Sequence, residues 1–173
     1  VRSQIFFNHL IRKNLRTHAS IIINTGEVRE IHHFACLLGY GATVICPYLV
    51  YESINDLIRR EAIKLDYEKA KQNFIKASVA GIVKIASKMG VSTLQSYNGA
   101  QIFECLGLSK KLVDKYFSDT ITRIEGIDIE DINEELINLH KKTFANRISA
   151  LEPKGIHGFR SGREEHIIDP LVI

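Results

Sequence analysis

The chain has 173 residues, about the length of one domain, and its 45% apolar and 25% charged residues are typical of a globular protein with a buried core. Its formal net charge of +3 is too small and too dispersed to predict nucleic acid or a membrane surface as a partner. No apolar run approaches the ~20 residues of a membrane span, and the first ten residues do not form a signal peptide.

The first part of the chain predicts a parallel strand–helix–strand unit. Apolar residues at helical spacing predict an amphipathic helix over 5–15. The continuous apolar runs at 19–23 and 42–46 are short and rich in β-branched residues, so each predicts a buried strand. The segment between them has helical periodicity. A helix joining two adjacent strands predicts a right-handed parallel crossover.

The helix of this unit has candidate start and stop residues. Asn24 or Thr25 can cap its N-terminus, and Glu27 is placed to complete a capping box. Gly39 and Gly41 follow the helix and precede a strand, which is the wrong order for a phosphate-binding loop. We therefore interpret these glycines as a helix C-cap.

Two more helices are predicted next, over 54–65 and over 67–89, the second capped by Asp66. Gly81 lies inside the longer helix, where glycine costs about 1 kcal/mol relative to alanine. A close approach of another backbone would explain a glycine at this position.

A polar segment follows Gly90, which we expect to end the long helix. Residues 91–94 are predicted to form a short buried strand. Polar side chains past the C-terminal end of a strand are where ligands commonly meet an α/β protein. Two interpretations stay open for this polar segment: its side chains satisfy backbone groups of a tight loop, or they meet a ligand. The polar residues are Ser92, Thr93, Gln95, Ser96, Tyr97 and Asn98.

The remainder of the chain predicts two helices and a strand. Ser109 caps a short helix to Phe117, 120–123 forms a short strand, and Asp128 caps a helix that ends near Phe144. Residues 152–158 lack any period and predict a surface loop or linker. The following run from Ser161 to Glu164 has the spacing of a capping box.

The three cysteines, Cys36, Cys46 and Cys105, are widely spaced and include no C-x-x-C pair. This pattern argues against a disulfide framework, a zinc site and an iron–sulfur cluster. Their apolar neighbours predict small buried hydrophobic side chains in a reducing compartment. One of them could act as a nucleophile only with a histidine close in space.

Other reactive side chains have structural interpretations. His32 and His33 are adjacent on a helix, so their side chains diverge by ~100° and cannot share a metal. We expect one of the two to be buried as a hydrogen-bonded core or interface histidine. Glu104 is expected to be exposed or paired, and the 164–166 acid–histidine cluster to be a solvated face. No nucleophile elbow, zinc-protease or phosphate-loop motif is present in the sequence.

Several runs resemble the large subunit of glutamate synthase. The most specific are KMGVSTLQSY at 88–97, GAQIFECLGL at 99–108 and EVREIHHFACLLGYGA at 27–42. Shorter matches follow the family order at 8–17, 47–49, 118–124 and 162–170. The chain departs from the family pattern at Asn98, where arginine is usual, at Glu125 and Asp128, which replace glycines, and loosely over 159–163.

The resemblance implies a parent enzyme with an N-terminal glutamine amidotransferase domain, a central domain, an FMN-binding (β/α)8 barrel and a C-terminal β-helix. Glutamine would be hydrolysed at an N-terminal cysteine, and ammonia would pass through an internal channel to 2-oxoglutarate. Reduced FMN would then deliver a hydride to the imine. An iron–sulfur cluster would carry electrons from a small NAD(P)H-oxidising subunit or from ferredoxin. The expected compartment is the cytoplasm, or the plastid of a photosynthetic eukaryote.

Within that parent, residues 1–150 would be the later part of the central domain, and 151–173 a linker toward the FMN barrel. The expected fold is helix-rich α/β, with parallel βα units of (β/α)-barrel-like character, in a larger multidomain chain. A first residue other than methionine, Val1, also favours a piece of a longer protein.

The resemblance places no catalytic, cofactor-binding or metal-binding residue in this segment, and it implies the other domains of the same polypeptide as partners. Ser92, Gln95 and Ser96 are candidates for contact with a neighbouring domain. The alternative is a stand-alone, non-catalytic α/β binding or structural domain.

Overall fold

A computed structural model describes residues 2–117, 119–145, 158–163 and 165–167 of the chain, which divides into two compact units, Val1–Asp128 and Ile129–Ile173. The first unit contains α1 Arg2–Arg12, a 3-10 turn Arg16–His18, β1 Ile22–Asn24, α2 Ile31–Gly39, β2 Val44–Cys46, α3 Tyr48–Arg59, α4 Tyr67–Lys88, α5 Leu94–Tyr97, β3 Glu104–Leu108, α6 Lys110–Tyr116 and β4 Ile121–Ile127. The second unit contains α7, Ile129–Ala145.

The predicted strand–helix–strand unit is confirmed. β1 and β2 pair in parallel, with Ile22 opposite Val44 and Asn24 opposite Cys46, and α2 connects them. Each strand is three residues long, shorter than predicted, because pairing starts only where the Ile21 carbonyl accepts the Val44 N–H. The flanking apolar residues therefore continue as irregular backbone.

A second parallel pair follows, in which α6 connects β3 to β4. The predicted strand at 120–123 is confirmed and extends to Ile127. The ladder begins at Glu104 opposite Ile121 and has two register shifts. Both pairs are separate two-stranded sheets, so the part of the chain described here is helix-rich α/β with short parallel strands, and the (β/α)-barrel character is not shown.

The strand predicted at 91–94 is wrong. In the part of the chain that the structure describes, residues 91–93 belong to no strand, and the short helix α5 begins at Leu94. The Thr93 hydroxyl accepts the Ser96 N–H at 3.3 Å, and this local cap stabilises a helical turn instead of a strand.

The predicted start of α2 is also wrong. Thr25 accepts the Glu27 N–H within a turn, and the helix begins six residues after Thr25, at Ile31. Its capping box consists of Glu30 and His33, whose side chains each bond to the other residue's backbone. Histidine replaces the usual glutamate or glutamine in this box, so the pattern was not apparent in the sequence.

The long helix α4 has the predicted start. The Asp66 carboxylate accepts the N–H groups of Glu68 and Lys69. The explanation predicted for Gly81 is wrong: a Cβ there would lie 2.4 Å from the Ile31 side chain, so a side chain of α2, not a backbone, requires the glycine.

The bounds of the other helices follow local signals. α1 and α3 lie three to six residues earlier than predicted, and α3 begins directly after Pro47, whose ring suits a helix start. The Ser109 cap is confirmed, because its hydroxyl accepts the Leu112 N–H. The predicted helix from 129 is confirmed as α7.

The C-terminal predictions fall largely outside the described residues. These include most of the 152–158 loop, the boundary at 150/151 and Glu164 of the suggested capping box. The two compact units divide after Asp128. Among the described helices, none is both long and apolar enough to cross a membrane.

Candidate interdomain contact site

The polar segment Ser92–Asn98, hereafter the contact loop, leaves the end of α4 through a tight reversal. Gly90 has φ +72°, a left-handed conformation that glycine adopts without a Cβ clash. The Val91 N–H returns to the Ala86 carbonyl at 2.9 Å, which ends the helix. The Gly90 prediction is therefore confirmed.

The C-terminal half of the contact loop is fixed to the end of α2. Tyr97 is 1% exposed and packs in a core cluster with Ala35 and Ala86. The Asn98 amide donates to the Ala42 carbonyl at 2.8 Å, and the Gly99 N–H donates to the Gly39 carbonyl at 2.8 Å. These bonds hold one side of the loop against a helix more than fifty residues earlier in the chain.

The other half of the loop faces outward. Ser92, Gln95 and Ser96 are exposed, and Leu94 between them is 53% exposed. The Thr93 hydroxyl donates to the Ser96 hydroxyl at 2.9 Å, which orients one of the exposed groups. The three predicted contact residues therefore lie in one short segment. Its C-terminal half is fixed by packing and hydrogen bonds, and its other half is exposed.

Cys36 and Cys105 are not activated nucleophiles. Partial desolvation by neighbouring atoms raises the pKa of the Cys36 thiol, although the residue keeps an exposed surface. Burial raises the pKa of the Cys105 thiol, against the smaller opposing effect of a hydrogen bond with Tyr40. Thiols with raised pKa values stay protonated near neutral pH and are poor nucleophiles. Cys105 is buried as predicted, whereas the prediction is wrong for Cys36, which is exposed, and Cys46 is half-buried.

An aromatic cluster beside these thiols was not predicted from the sequence. Tyr40 stacks on Phe103 with ring centroids 5.3 Å apart and meets Phe117 edge-on at 5.6 Å. Its hydroxyl lies 3.2 Å from the Thr120 hydroxyl. Burial raises the pKa of Tyr40. The members come from separate elements, so no short-range pattern could have identified the cluster.

The prediction that His32 or His33 is buried is wrong. His32 and His33 are both exposed, and His33 Nδ1 accepts the N–H groups of Arg29 and Glu30 at 3.2 and 3.3 Å. The α2 N-terminus is thus closed by a histidine cap instead of a core histidine.

The interpretation of Glu104 is confirmed. Its carboxylate is exposed and pairs with Arg123 at 2.9 Å. Nowhere in the described ranges do three or more His, Cys, Asp or Glu side chains form a group able to hold a metal ion.

A second surface lies between α2 and α4. It is an open groove of about 640 Å³ with an apolar floor that includes Ile31, Phe74 and Ile85. Its rim carries basic side chains, among them Lys84 and Lys88. The groove therefore combines hydrophobic area with positive charge, a chemistry suited to binding.

The chain is similar to proteins of one family over nearly all of its length. Residues 4–109 match the family described as "Glutamate synthase central domain". The chain is 46% identical over 166 residues to the glutamate synthase [NADPH] large chain of Bacillus subtilis, a match that covers 95% of the chain and 11% of the relative.

Two further relatives are named for different electron donors. The ferredoxin-dependent glutamate synthase of Pyropia yezoensis is 40% identical over 94% of the chain, which covers 11% of that relative. The glutamate synthase [NADH] of Schizosaccharomyces pombe is 39% identical over 96% of the chain, which covers 8% of that relative. The chain therefore spans about a tenth of the length of the relatives that it matches.

Proposed function

The chain belongs to the glutamate synthase central-domain family, and from that premise we propose that it is a non-catalytic segment of a glutamate synthase polypeptide. The parent enzyme would make L-glutamate from L-glutamine and 2-oxoglutarate by reductive amination through FMN and iron–sulfur centres. The segment itself would be scaffold, and its contact loop would touch a neighbouring domain of the same polypeptide. The observation that carries this proposal is the identity of 46% across 95% of the chain.

The relatives' names support a role that does not depend on the electron donor. Enzymes named for NADPH, ferredoxin and NADH share this segment at 46%, 40% and 39% identity. A segment that recognised one donor or its carrier would be expected to differ between these enzymes. We place the parent in the cytoplasm, or in the plastid of a photosynthetic eukaryote.

The geometry of the contact loop supports an interdomain role for Ser92, Gln95 and Ser96. Tyr97 and Asn98 tie one half of the loop to α2, so the exposed half is presented on a held backbone. Such preorganisation lowers the entropy cost of forming a contact. A hydroxyl–amide surface with an exposed leucine has the mixed composition of a contact between domains of one chain.

FMN and the iron–sulfur cluster of the parent do not fit the residues described for this segment. Cys36, Cys46 and Cys105 lie on α2, β2 and β3, and none belongs to a group able to ligate a metal within the described ranges. The glycines of 39–41 end a helix instead of starting one. We therefore assign no step through either group to this segment.

The proposal is tested in the full-length enzyme by the double variant Gln95→Ala/Ser96→Ala. We expect glutamine hydrolysis to continue while less of the released ammonia appears as glutamate, because a displaced neighbouring domain would uncouple the two reactions. The measurement is the ratio of glutamate formed from 2-oxoglutarate to glutamine hydrolysed.

The matched control is Gln72→Ala/Ser87→Ala, which removes the same two side-chain types from exposed positions on α4. The control should keep the wild-type ratio. An unchanged ratio in the loop variant would remove the coupling role of the loop, and a full-length protein without any glutamate synthase activity would overturn the parent assignment.

A further inference from the structure

The β1–β2 pair is an incomplete sheet. It consists of two parallel strands of three residues each, joined at Ile22–Val44, Ile23–Ile45 and Asn24–Cys46. Parallel sheets are found with several strands and with both faces covered, because every open edge or face exposes unpaired backbone groups or apolar side chains. Isolated two-stranded pairs are at best marginally stable in water.

The hydrogen-bond pattern identifies the open edge of β1. Val44 N–H donates to the Ile21 carbonyl at 3.2 Å, and Thr25 N–H donates to the Cys46 carbonyl at 3.1 Å. Backbone groups of a parallel strand alternate between its two edges, so Ile22 and Asn24 direct their N–H and C=O groups away from β2. Over the described part of the chain, no hydrogen bond joins these outward backbone groups to another residue.

One face of the same pair is also uncovered. Ile22 is 69% exposed and Val44, its direct partner across the ladder, is 48% exposed. Ile21, which alternation places on the opposite face, is 6% exposed. The open edge therefore lies beside an exposed pair of β-branched side chains, hereafter the Ile22–Val44 step. β-Branched residues pack well on the surface of a sheet.

We propose that an extended segment of the same polypeptide, outside these 173 residues, adds to β1 as a strand at Ile22 and Asn24 and covers the Ile22–Val44 step. This inference rests on the proposed function, because it requires a parent chain longer than this segment. The chain spans 11% of the Bacillus subtilis relative, so about nine-tenths of such a parent would lie outside it.

An edge of three residues favours an occupant from the same chain. A stable interface between separate molecules buries about 1,200–2,000 Å², far more than one short edge supplies. A segment already linked to β1 through the polypeptide does not lose the translational and rotational freedom that separate molecules lose on association. A second copy of the chain is therefore the weaker candidate.

Amide hydrogen exchange of the full-length enzyme at single-residue resolution tests the inference. Ile23 and Thr25 serve as internal controls, since the ladder directs their N–H groups to β2. We expect the Ile22 and Asn24 amides to be protected to a similar degree, at least about tenfold slower than in an unstructured chain. Unprotected exchange at Ile22 and Asn24 beside protected controls would overturn the proposal, as would protection that disappears when the protein is diluted to monomer.

A proline substitution separates strand pairing from simple burial. Asn24→Pro removes the outward N–H, which an open edge tolerates and a paired strand does not. Asn24→Ala is the matched control, because it removes the side chain and keeps the N–H. We expect the proline variant, but not the alanine variant, to lower the thermal unfolding temperature of the full-length enzyme; equal temperatures for the two would contradict a paired edge.

Neither measurement depends on catalysis. A wild-type protein that makes glutamate but exchanges freely at Ile22 and Asn24 would overturn this inference alone. A protein with a protected edge but no glutamate synthase activity would overturn the proposed function alone.

Discussion

The two ends of α2 are held in opposite ways. The N-terminal end is exposed and closed by a local capping box between Glu30 and His33. The C-terminal end is buried and held by residues far away in the chain, since Asn98 bonds to Ala42 and the Phe103 ring lies against Gly39. Substitutions at the C-terminal end should therefore be the more destabilising, because they disturb several elements at once.

The largest loss in the free energy of unfolding is expected for a substitution at Tyr97. Replacing this 1% exposed side chain by alanine in Tyr97→Ala should lower the free energy of unfolding by about 3–5 kcal/mol, through lost burial and a cavity beside Ala35 and Ala86. Urea-induced unfolding followed by near-UV circular dichroism measures it.

Tyr97→Phe separates the ring from the hydroxyl. The Tyr97 hydroxyl is buried without a hydrogen-bond partner in the described part of the chain, so its removal should change the unfolding free energy by less than about 1 kcal/mol, or stabilise. A loss as large as that of the alanine variant would mean that the hydroxyl has a partner and that the packing explanation is wrong.

A slightly smaller effect is expected at Gly41. Its φ is +97°, and a Cβ added there would lie 1.9 Å from the Phe7 ring. Gly41→Ala should cost about 2–4 kcal/mol, combining backbone strain with displacement of Phe7. Urea-induced unfolding of Gly41→Ala and of the wild-type protein measures the difference.

Gly90→Ala is the matched control for Gly41→Ala. Gly90 has φ +72° with no atom within 4 Å of an added Cβ among the described residues, so its replacement should cost only the strain, about 1–2 kcal/mol. Equal losses for the two variants would show that Phe7 moves aside freely and that this end of α2 is not tightly packed.

The free energy of unfolding that comes from the C-terminal end of α2 and its neighbours should also fall at alkaline pH. Desolvation raises the pKa values of the Cys36 and Cys105 thiols and of the Tyr40 and Tyr97 hydroxyls from their ordinary values, 9.0 for cysteine and 10.0 for tyrosine, although Cys36 keeps an exposed surface. The folded state then holds its protons more tightly than the unfolded state. Stability from these groups is fully present below pH 9 and is lost as the pH rises through the raised pKa values.

The measurement is the urea midpoint between pH 7 and pH 11. Removing the two thiols in Cys36→Ala/Cys105→Ala should flatten the first part of the decline, when each protein is compared with its own value at pH 7. The same slope in wild type and variant would exclude the thiols as its cause.

The smallest effect is expected at the exposed end of α2. His33→Ala removes one half of the capping box and should cost about 0.5–1 kcal/mol, because the bonds of the His33 ring among the described residues go to the backbone of the preceding turn. Thermal unfolding would detect it as a shift of a few degrees. A loss equal to that of Gly41→Ala would erase the difference between the two ends.

The same distinction separates what could be predicted from the sequence. Where the structure depends on neighbours in the chain, the sequence alone determined the result: the Asp66 cap of α4, the Ser109 cap of α6 and the reversal at Gly90 are stabilised by bonds spanning five residues or fewer. The parallel β1–β2 unit also followed from the order of strand, helix and strand.

Only the tertiary structure decided the rest. The apolar run at 91–94 was suited to a strand, but no strand among the described residues pairs with it, and the Thr93 cap stabilises α5 instead. Gly81 is required by Ile31 fifty residues earlier in the chain. The buried settings of Tyr97 and Cys105 likewise come from separate elements. Such packing is not encoded in any short-range pattern, because which distant side chains meet depends on how the elements pack.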